Sequence, residues 1–273
     1  MNGRGFSQSA WDRGYRAVVA RAFATVPYYR EMWAEAGARL DEPVVTSASR
    51  LDSLLERLYP LGAPYERRRE APAWAGEPAE LFEALELTGS HRRDRPLFEV
   101  REALLDWDRI GPGGARYHVV LSAAAEVADP ELRSAGLRAL RAAHEPGLLG
   151  DAAQIAELDD RPDRARIFLR RSPAALGTPG APPEDPDGPS RGAEVLHDVR
   201  LGYLGARHRG CGRAHVNWRR VHTRQGQAGP LFTMLRRHRP TLANISLPGT
   251  DHLTVDRCGE HGTPILTADG VRP

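Results

Sequence analysis

Hydrophobic residues near the start of the chain recur at intervals of three and four positions, the spacing of a helix that buries one face. Pro27 suits the first turn of a second helix, which reads PYYREMWAEAG and ends at Gly37. The same pattern predicts helices at 47–59, 77–87, 151–160 and about 226–238, and one at 129–144 with Asp129 as its N-cap. The residues that form the first apolar stripe are Trp11, Tyr15, Val18, Val19, Ala22, Phe23 and Val26.

Three shorter apolar runs favour strands. They read RYHVVLSAA at 116–124, ARIFLRR at 165–171 and TPILTA at 263–268, and the first follows the turn sequence GPGG. Strands that alternate with helices predict an α/β layer. We therefore expect an α/β protein with a helical N-terminal segment and a small β-rich C-terminal part.

A stretch rich in proline and glycine divides the chain. Residues 177–192, GTPGAPPEDPDGPSRG, contain five prolines and four glycines and no core-forming side chains, which is typical of a linker. We predict a helical segment at 1–60, an α/β core at 61–176, the linker at 177–192 and a basic C-terminal part at 193–273.

Composition restricts the chemistry. The N-terminus lacks the apolar core of a signal peptide and the chain has two cysteines, which predicts a reduced, cytoplasmic protein. No apolar run is long enough to span a membrane. All 38 basic residues are arginine. Mechanisms that require a lysine, such as Schiff-base formation, are excluded.

Positive charge is concentrated in one segment. Residues 199–240 contain ten arginines and four histidines and no acidic residue. Such a block favours an anion-binding surface, with a solvated face as the alternative. The candidate anion-binding residues are Arg213, Arg219, Arg220 and Arg224.

The two cysteines each have a histidine close behind. Cys211 and His215 form one pair, and Cys258 and His261 form a second pair after 42 intervening residues. Two thiolates and two imidazoles suit zinc, and four protein ligands leave no position for a reacting water, so such a zinc would be structural. Two alternatives stay open: the thiols are buried apolar groups, or Cys211 is a nucleophile.

In the nucleophile alternative, nearby arginines lower the thiol pKa and a histidine acts as the base. The arginines are Arg207, Arg209 and Arg213, and the base is His215 or His208.

The order of these pieces resembles the phenylacetate–CoA ligase branch of the adenylate-forming enzymes. ARAFATVPYYREMWAEAG is similar to the N-terminal signature of that family, and CGRAHVNWRRVHTR followed by GEHGTPILT is similar to its later cysteine-containing segment and closing strand. The resemblance implies a reduced adenylate-forming N-terminal domain, a pocket for acyl groups or CoA, and a cysteine–histidine zinc site.

Departures from the family pattern imply that adenylation is lost. At the position of its nucleotide loop the chain reads LTGSHRRDRP, in which Thr88, Gly89 and Ser90 are a degenerate remnant. Gly205 stands where the family has a magnesium-binding glutamate, and the sequence ends at Pro273, before the family's mobile lid with its lysine.

The resemblance therefore predicts a protein of bacterial specialised metabolism that does not adenylate. We expect it to bind an acyl thioester, on CoA or on an acidic acyl carrier protein, through the four candidate arginines. It would be an accessory protein of a companion biosynthetic enzyme, or it would catalyse acyl transfer or cyclisation without ATP. The alternative is a zinc-stabilised nucleic-acid-binding protein that uses the 199–240 block.

Overall fold

The computed structural model describes residues 5–37, 43–66, 78–90, 94–102, 116–125, 130–158, 164–177 and 193–268. The helices are α1 (Gln8–Thr25), α2 (Pro27–Glu35), α3 (Leu51–Leu54), α4 (Pro78–Leu87), α5 (Pro130–Ala142) and α6 (Ala152–Ala156). The strands are β1 (Thr46–Ser47), β2 (Leu97–Arg101), β3 (Tyr117–Leu121), β4 (Gly147–Gly150), β5 (Arg166–Arg171), β6 (Ala193–Asp198), β7 (Gly202–Arg207), β8 (Ala214–Val216), β9 (Val221–Gly226), β10 (Gly229–Met234), β11 (Ile245–Ser246), β12 (Leu253–Arg257) and β13 (Pro264–Ala268).

Nine of these strands form one sheet in the order β12-β13-β8-β7-β6-β5-β4-β2-β3. The strands from β3 to β6 run parallel, and β7, β8, β13 and β12 continue the sheet as antiparallel neighbours. The sheet therefore includes strands from both sides of the predicted linker, and the mixed α/β class is confirmed.

A smaller sheet, in the order β1-β11-β10-β9, lies under the N-terminal helices. The largest apolar cluster joins Tyr15 and Tyr29 of these helices to Phe232 of β10 and Leu266 of β13. Helices from the start of the chain and strands from its end thus share one core. Among the described residues, no helix combines the length and apolar character needed to cross a membrane.

Most of the predicted elements are present, with shorter bounds. The helix predicted at about 226–238 is wrong, because residues 229–234 form β10 and pair with β9 and β11. All six residues of β10 are buried, and a short, continuously apolar run does not distinguish a buried strand from a buried helix. The predicted N-cap Asp129 and linker residues 178–192 lie outside the described residues.

Helix α4 connects the sheet to the arginine-rich segment. Its apolar residues Leu81, Ala84 and Leu85 are buried in a cluster with β7. Its three glutamates are spaced by three residues, which places them along one side of the helix. The pairs are Arg237–Glu80 at 2.9 Å, Arg220–Glu83 at 2.9 Å, Arg236–Glu83 at 3.4 Å and Arg219–Glu86 at 3.1 Å.

His222 attaches α1 to β9. Its ring lies between Trp11, at a centroid distance of 4.2 Å, and Tyr15, at 4.5 Å. Its Nε2 is 3.3 Å from Oδ1 of Asp12. Burial lowers the pKa of His222 to about 4, although Asp12 opposes the shift. The neutral imidazole is therefore the form that belongs to the folded state.

The Arg237–Glu80 pair is almost completely buried, with side-chain exposures of 7% and 2%. We expect Arg237→Met to lower the free energy of unfolding by about 3–5 kcal/mol, because it leaves a buried carboxylate without its partner. Adding Glu80→Gln to this variant should restore part of the loss. Urea denaturation measures the free energy of unfolding of both variants. Arg57→Met, at the exposed Arg57–Glu31 pair, is the control and should cost less than about 1 kcal/mol.

The pKa of His222 also predicts a pH dependence of stability. Because the folded-state pKa of about 4 is lower than the ordinary value of 6.5, the unfolded state takes up a proton first as the pH falls. The free energy of unfolding should decrease by about 3 kcal/mol through this residue between pH 6.5 and 4. His222→Gln should flatten the pH profile, and His144→Gln, at an exposed histidine, should leave it unchanged. Equal profiles for the two variants would contradict the assignment.

Candidate metal centre

Two hairpin turns with the same backbone geometry carry the cysteines. Turn A (208–213) follows β7, and turn B (258–263) follows β12. In each turn the first N–H donates to the sixth carbonyl, and the fifth N–H donates to the first carbonyl at 2.8 Å. The fifth residue is Gly212 in turn A and Gly262 in turn B, both at φ +65°, a conformation that glycine adopts without strain. Each turn places the side chains of its first and fourth residues on one side.

The predicted metal ligands meet where the two turns face each other. The potential ligand atoms of Cys211, His215, Cys258 and His261 all lie within 4.8 Å of one another. Cys211 Sγ is 3.1 Å from Nε2 of His215, and Cys258 Sγ is 3.5 Å from Nδ1 of His261. In a tetrahedral zinc site ligand atoms are separated by about 3.3–3.8 Å. This cluster can hold a metal ion.

The pKa shifts of His215 and Cys258 also suit a metal. Burial lowers the pKa of His215 to about 4, with help from the neighbouring His261, His208 and Arg213. His215 is therefore a neutral imidazole at pH 7, which is the form that binds metals. Burial opposes ionisation of Cys258, but hydrogen bonds from the His261 ring and from backbone N–H groups lower its pKa below the ordinary value.

Two further residues orient the ligands. Thr263 Oγ1 is 2.8 Å from Nδ1 of His215, so this hydrogen bond leaves Nε2 free to face the cysteines. The ring of His208 lies 4.3 Å from that of His261, and its Nδ1 accepts the N–H groups of Gly210 and Cys211. Because an imidazole nitrogen has one lone pair, this Nδ1 is used within turn A and is not a ligand.

Cys258 has the same role in turn B as His208 has in turn A. Its sulfur accepts the backbone N–H groups of Glu260 and His261, the third and fourth residues of turn B. From the sequence, His208 is a candidate base or replacement metal ligand, and its role in holding turn A was not predicted. The repeated pattern His208-x2-Cys211-Gly212 and Cys258-x2-His261-Gly262 is the signal that would have identified its position.

The geometry places Cys211 Sγ 3.1 Å from Nε2 of His215, a candidate base in the nucleophile alternative, but the pKa of the thiol does not fit that alternative. Burial raises the pKa of the Cys211 thiol, instead of the lowering that the nearby arginines were expected to produce. The same sulfur is 3.1 Å from the His215 nitrogen that points towards the other ligand residues. Arg207, one of the expected activators, is bound to Glu194 at 2.8 Å.

The four candidate anion-binding arginines lie in different surroundings. Arg219 and Arg220 are paired with the glutamates of α4, and Arg224 donates to Oδ1 of Asn244 at 3.3 Å. Arg213 is half-buried in turn A and has no side-chain partner among the described residues. Their role in binding a thioester stays a prediction.

Thr88, Gly89 and Ser90 directly follow α4. The N–H groups of Thr88 and Gly89 donate to carbonyls in the last turn of α4, and the N–H of Ser90 donates to Oγ1 of Thr88. A loop that cradles phosphate needs backbone N–H groups that point outward. All three are used internally here. Arg92 and Arg93, which follow in the sequence, lie outside the described residues.

Gly205, where the family pattern would place a glutamate, has no room for a side chain. Gly205 lies in β7 beside β8, and a Cβ atom there would approach the carbonyl oxygen of His215 to 2.1 Å. Only glycine fits this contact without a backbone shift.

A buried polar cluster, which the sequence did not predict, lies near the carboxyl ends of β2 and β5. Glu99, 2% exposed, accepts from Arg101 at 2.9 Å, from Arg170 at 3.0 Å and from the hydroxyls of Tyr117 and Tyr203. Burial alone would raise the pKa of Glu99, but the two arginines hold it below its ordinary value. We call these five residues the Glu99 cluster.

Arg101 and Arg170 of the Glu99 cluster lie near the edge of the sheet where α/β folds bind ligands, whereas Glu99 is in the middle of β2 and Tyr117 begins β3. β2 lies between β3 and β4, so the chain reverses direction across the sheet at β2, and ligands of open α/β sheets bind outside such a point. The metal-ligand residue His215 lies on β8, five strands from β2, which is about 24 Å. A metal ion bound by His215 would therefore be about 24 Å from a group bound directly beside β2.

We expect about one zinc ion per chain by metal analysis, and Cys258→Ser should remove it. Since the ligands join turns that are about fifty residues apart, metal loss should lower the free energy of unfolding of the C-terminal strands. When Co²⁺ replaces the metal, the unmodified protein should show the visible spectrum of a tetrahedral site with thiolate ligands, and Cys258→Ser should not.

Thr263→Val is the graded control, because it keeps all four ligands and removes only the hydrogen bond to His215. We expect a 10–100-fold weaker metal affinity without loss of the site. Full metal content in Cys258→Ser would show that these residues do not hold the ion.

The fold is similar to that of a known CoA ligase. No family model matches the chain. No curated protein matches it either. Among solved structures, an open conformation of 2-hydroxyisobutyryl-CoA ligase in complex with 2-HIB-AMP and CoA matches with a TM-score of 0.59 and 13% identity, over 95% of this chain and 73% of that chain.

The same ligase in its thioesterification state, also with 2-HIB-AMP and CoA, matches with a TM-score of 0.57 and 13% identity, over 95% of this chain and 67% of that chain. At this identity the likeness concerns the fold. The chain has the fold of the adenylate-forming enzymes.

Proposed function

We propose that this protein is an adenylation-inactive, CoA-ligase-like protein of the phenylacetate–CoA ligase branch. It binds an acyl thioester, on CoA or on an acidic carrier protein, in bacterial specialised metabolism. It acts as an accessory protein or processes the acyl group without ATP. A structural zinc ion holds turns A and B together.

The observation that carries the proposal is the internal use of groups that would bind a nucleotide. The three N–H groups of the remnant loop at Thr88–Ser90 all have acceptors within the protein. Gly205 cannot be replaced by a magnesium-binding carboxylate without moving β8. Adenylation needs both a triphosphate grip and a magnesium ligand to stabilise the charge that develops on the phosphates.

The Glu99 cluster supports a thioester as the ligand. Arg101 and Arg170 lie at the carboxyl ends of their strands, but Glu99 and, for Arg170, Asp151 at 3.5 Å neutralise their charges. A carboxylate substrate would have to compete with these partners for the guanidinium groups. An acyl thioester is uncharged at its carbonyl and has no such competition.

The nucleic-acid alternative loses its main support. Four arginines of the 199–240 block are paired with the α4 glutamates, which leaves less positive charge for a phosphate backbone.

Two measurements test the proposal together. We expect no ATP–pyrophosphate exchange with a panel of aliphatic and aromatic carboxylic acids, while acyl-CoA thioesters bind measurably by calorimetry. Native mass spectrometry of the purified protein identifies an acyl group that remains bound. Robust exchange would contradict the loss of adenylation, and absence of binding across the thioester panel would contradict the ligand class.

A pair of matched variants tests where the thioester binds. Val199, 63% exposed, follows β6 at the carboxyl edge, and Leu61, 60% exposed, lies in the N-terminal part. Val199→Trp should weaken acyl-CoA binding at least fivefold by blocking the edge, and Leu61→Trp should leave it unchanged. Equal affinities for both variants would place the ligand elsewhere.

A further inference from the structure

Of the ten arginines between residues 199 and 240, eight have a side-chain partner among the described residues. The other two, Arg209 and Arg213, have no side-chain partner among the described residues, and both belong to turn A. The eight with partners are Arg200 (Asp52), Arg207 (Glu194), Arg219 (Glu86), Arg220 and Arg236 (Glu83), Arg224 (Asn244), Arg237 (Glu80) and Arg239 (the carbonyl of Pro64).

A third arginine without a carboxylate partner lies beside turn A. Arg166, the first residue of β5, donates to the carbonyl oxygen of Ser90 at 2.5 Å. The backbone N–H of Arg209 donates to the carbonyl of Thr88 in the same short segment at 3.0 Å. Arg166 and turn A are thus held against one segment at the amino edge of the sheet. We call Arg166, Arg209 and Arg213, which lie together here without a carboxylate partner among the described residues, the unpaired arginine set.

Like charges are close to one another here. Burial lowers the pKa of Arg166, and the positive charges of Arg209 and Arg95 lower it further. Arg95 is neutralised by Glu145 at 2.5 Å, but no described carboxylate neutralises the other two. The nearest acidic residue of the facing turn, Glu260, is exposed and forms no ion pair with the set. An incoming anion would relieve this repulsion.

The placement of the charges favours a macromolecule over a small anion. Arg209 is exposed and Arg213 is half-buried, and they lie near the two ends of turn A. A small anion is bound best where donors converge in a pocket, whereas charges spread along an exposed edge suit an extended acidic surface.

We propose that the unpaired arginine set is the docking surface for an acidic protein, the acyl carrier protein that presents the thioester. This inference rests on the proposed function. It assigns binding of the carrier protein to a different set of arginines from the one expected from sequence. Of the four arginines expected from sequence, Arg219 and Arg220 are paired with glutamates of α4, and Arg213 belongs to the set. The docking surface is instead at turn A, which the metal ligand Cys211 helps to hold.

The test compares two double charge reversals. Arg209→Glu/Arg213→Glu removes the exposed part of the set, and Arg57→Glu/Arg138→Glu makes the same charge change at exposed arginines on other elements. The probes are an acidic acyl carrier protein without its phosphopantetheine arm, the same protein loaded with an acyl group, and the matching acyl-CoA. Affinities are measured at low and at physiological ionic strength.

We expect the turn A variant to bind both forms of the carrier protein at least tenfold more weakly, with less salt dependence, and to keep its metal and its affinity for acyl-CoA. The control should behave like the unmodified protein. Equal losses in both variants, or no loss in the turn A variant, would overturn the docking surface. Tighter binding of a short single-stranded oligonucleotide than of the carrier protein would also overturn it.

The arm-free carrier protein separates the two proposals. If acyl-CoA does not bind but the arm-free protein does, the thioester function fails and the docking surface stands. If acyl-CoA binds and neither carrier protein does, the docking surface fails and the thioester function stands.

Discussion

The charge pairing between α4 and the arginine-rich segment is the constraint on which the arrangement of the molecule depends. The glutamates of α4 reach arginines that lie more than 130 residues later in the sequence, and they do so on both sides of β9 and β10. Because Glu80 and Arg237 are almost completely buried, neither tolerates a different partner without a large desolvation cost. The position of α4 on the large sheet and the position of the small sheet are therefore fixed together.

This pairing also decides what the surface can do. A segment with ten arginines and no acidic residue predicts a strongly positive surface. In the folded protein six of these arginines form ion pairs with carboxylates from other parts of the chain, and Arg209 and Arg213 of turn A are the two whose side chains have no partner among the described residues. A charge count along the sequence gives the total charge of a segment, but the tertiary contacts decide which residues of it face solvent without a partner.

The sequence predicted elements whose signals are local. The helical spacing of α1, the proline at the start of α2 and the β-branched run of β3 depend on neighbouring residues, and these elements were found. Strand β10 was mistaken for a helix because both of its faces are buried, so that its sequence lacks alternation. The Glu99 cluster was missed because its members come from β2, β3, β5 and β7, and only the strand order brings them together.

The candidate metal centre shows the same division between local and long-range information. Cys258 and His261 belong to one short turn, and Cys211 and His215 belong to a turn and the strand that follows it. The short spacing of each pair could therefore be recognised in the sequence, and the four residues do converge. His208 was not recognised because its role depends on hydrogen bonds within turn A. The two turns are built alike, but turn A uses an imidazole nitrogen where turn B uses a sulfur. In turn B the first residue, Cys258, is a potential ligand, whereas in turn A Nδ1 of His208 accepts N–H groups within the turn and its Nε2 lies beside Gly89. Turn A therefore takes its second ligand from β8, and His215 ties the metal centre directly to the large sheet.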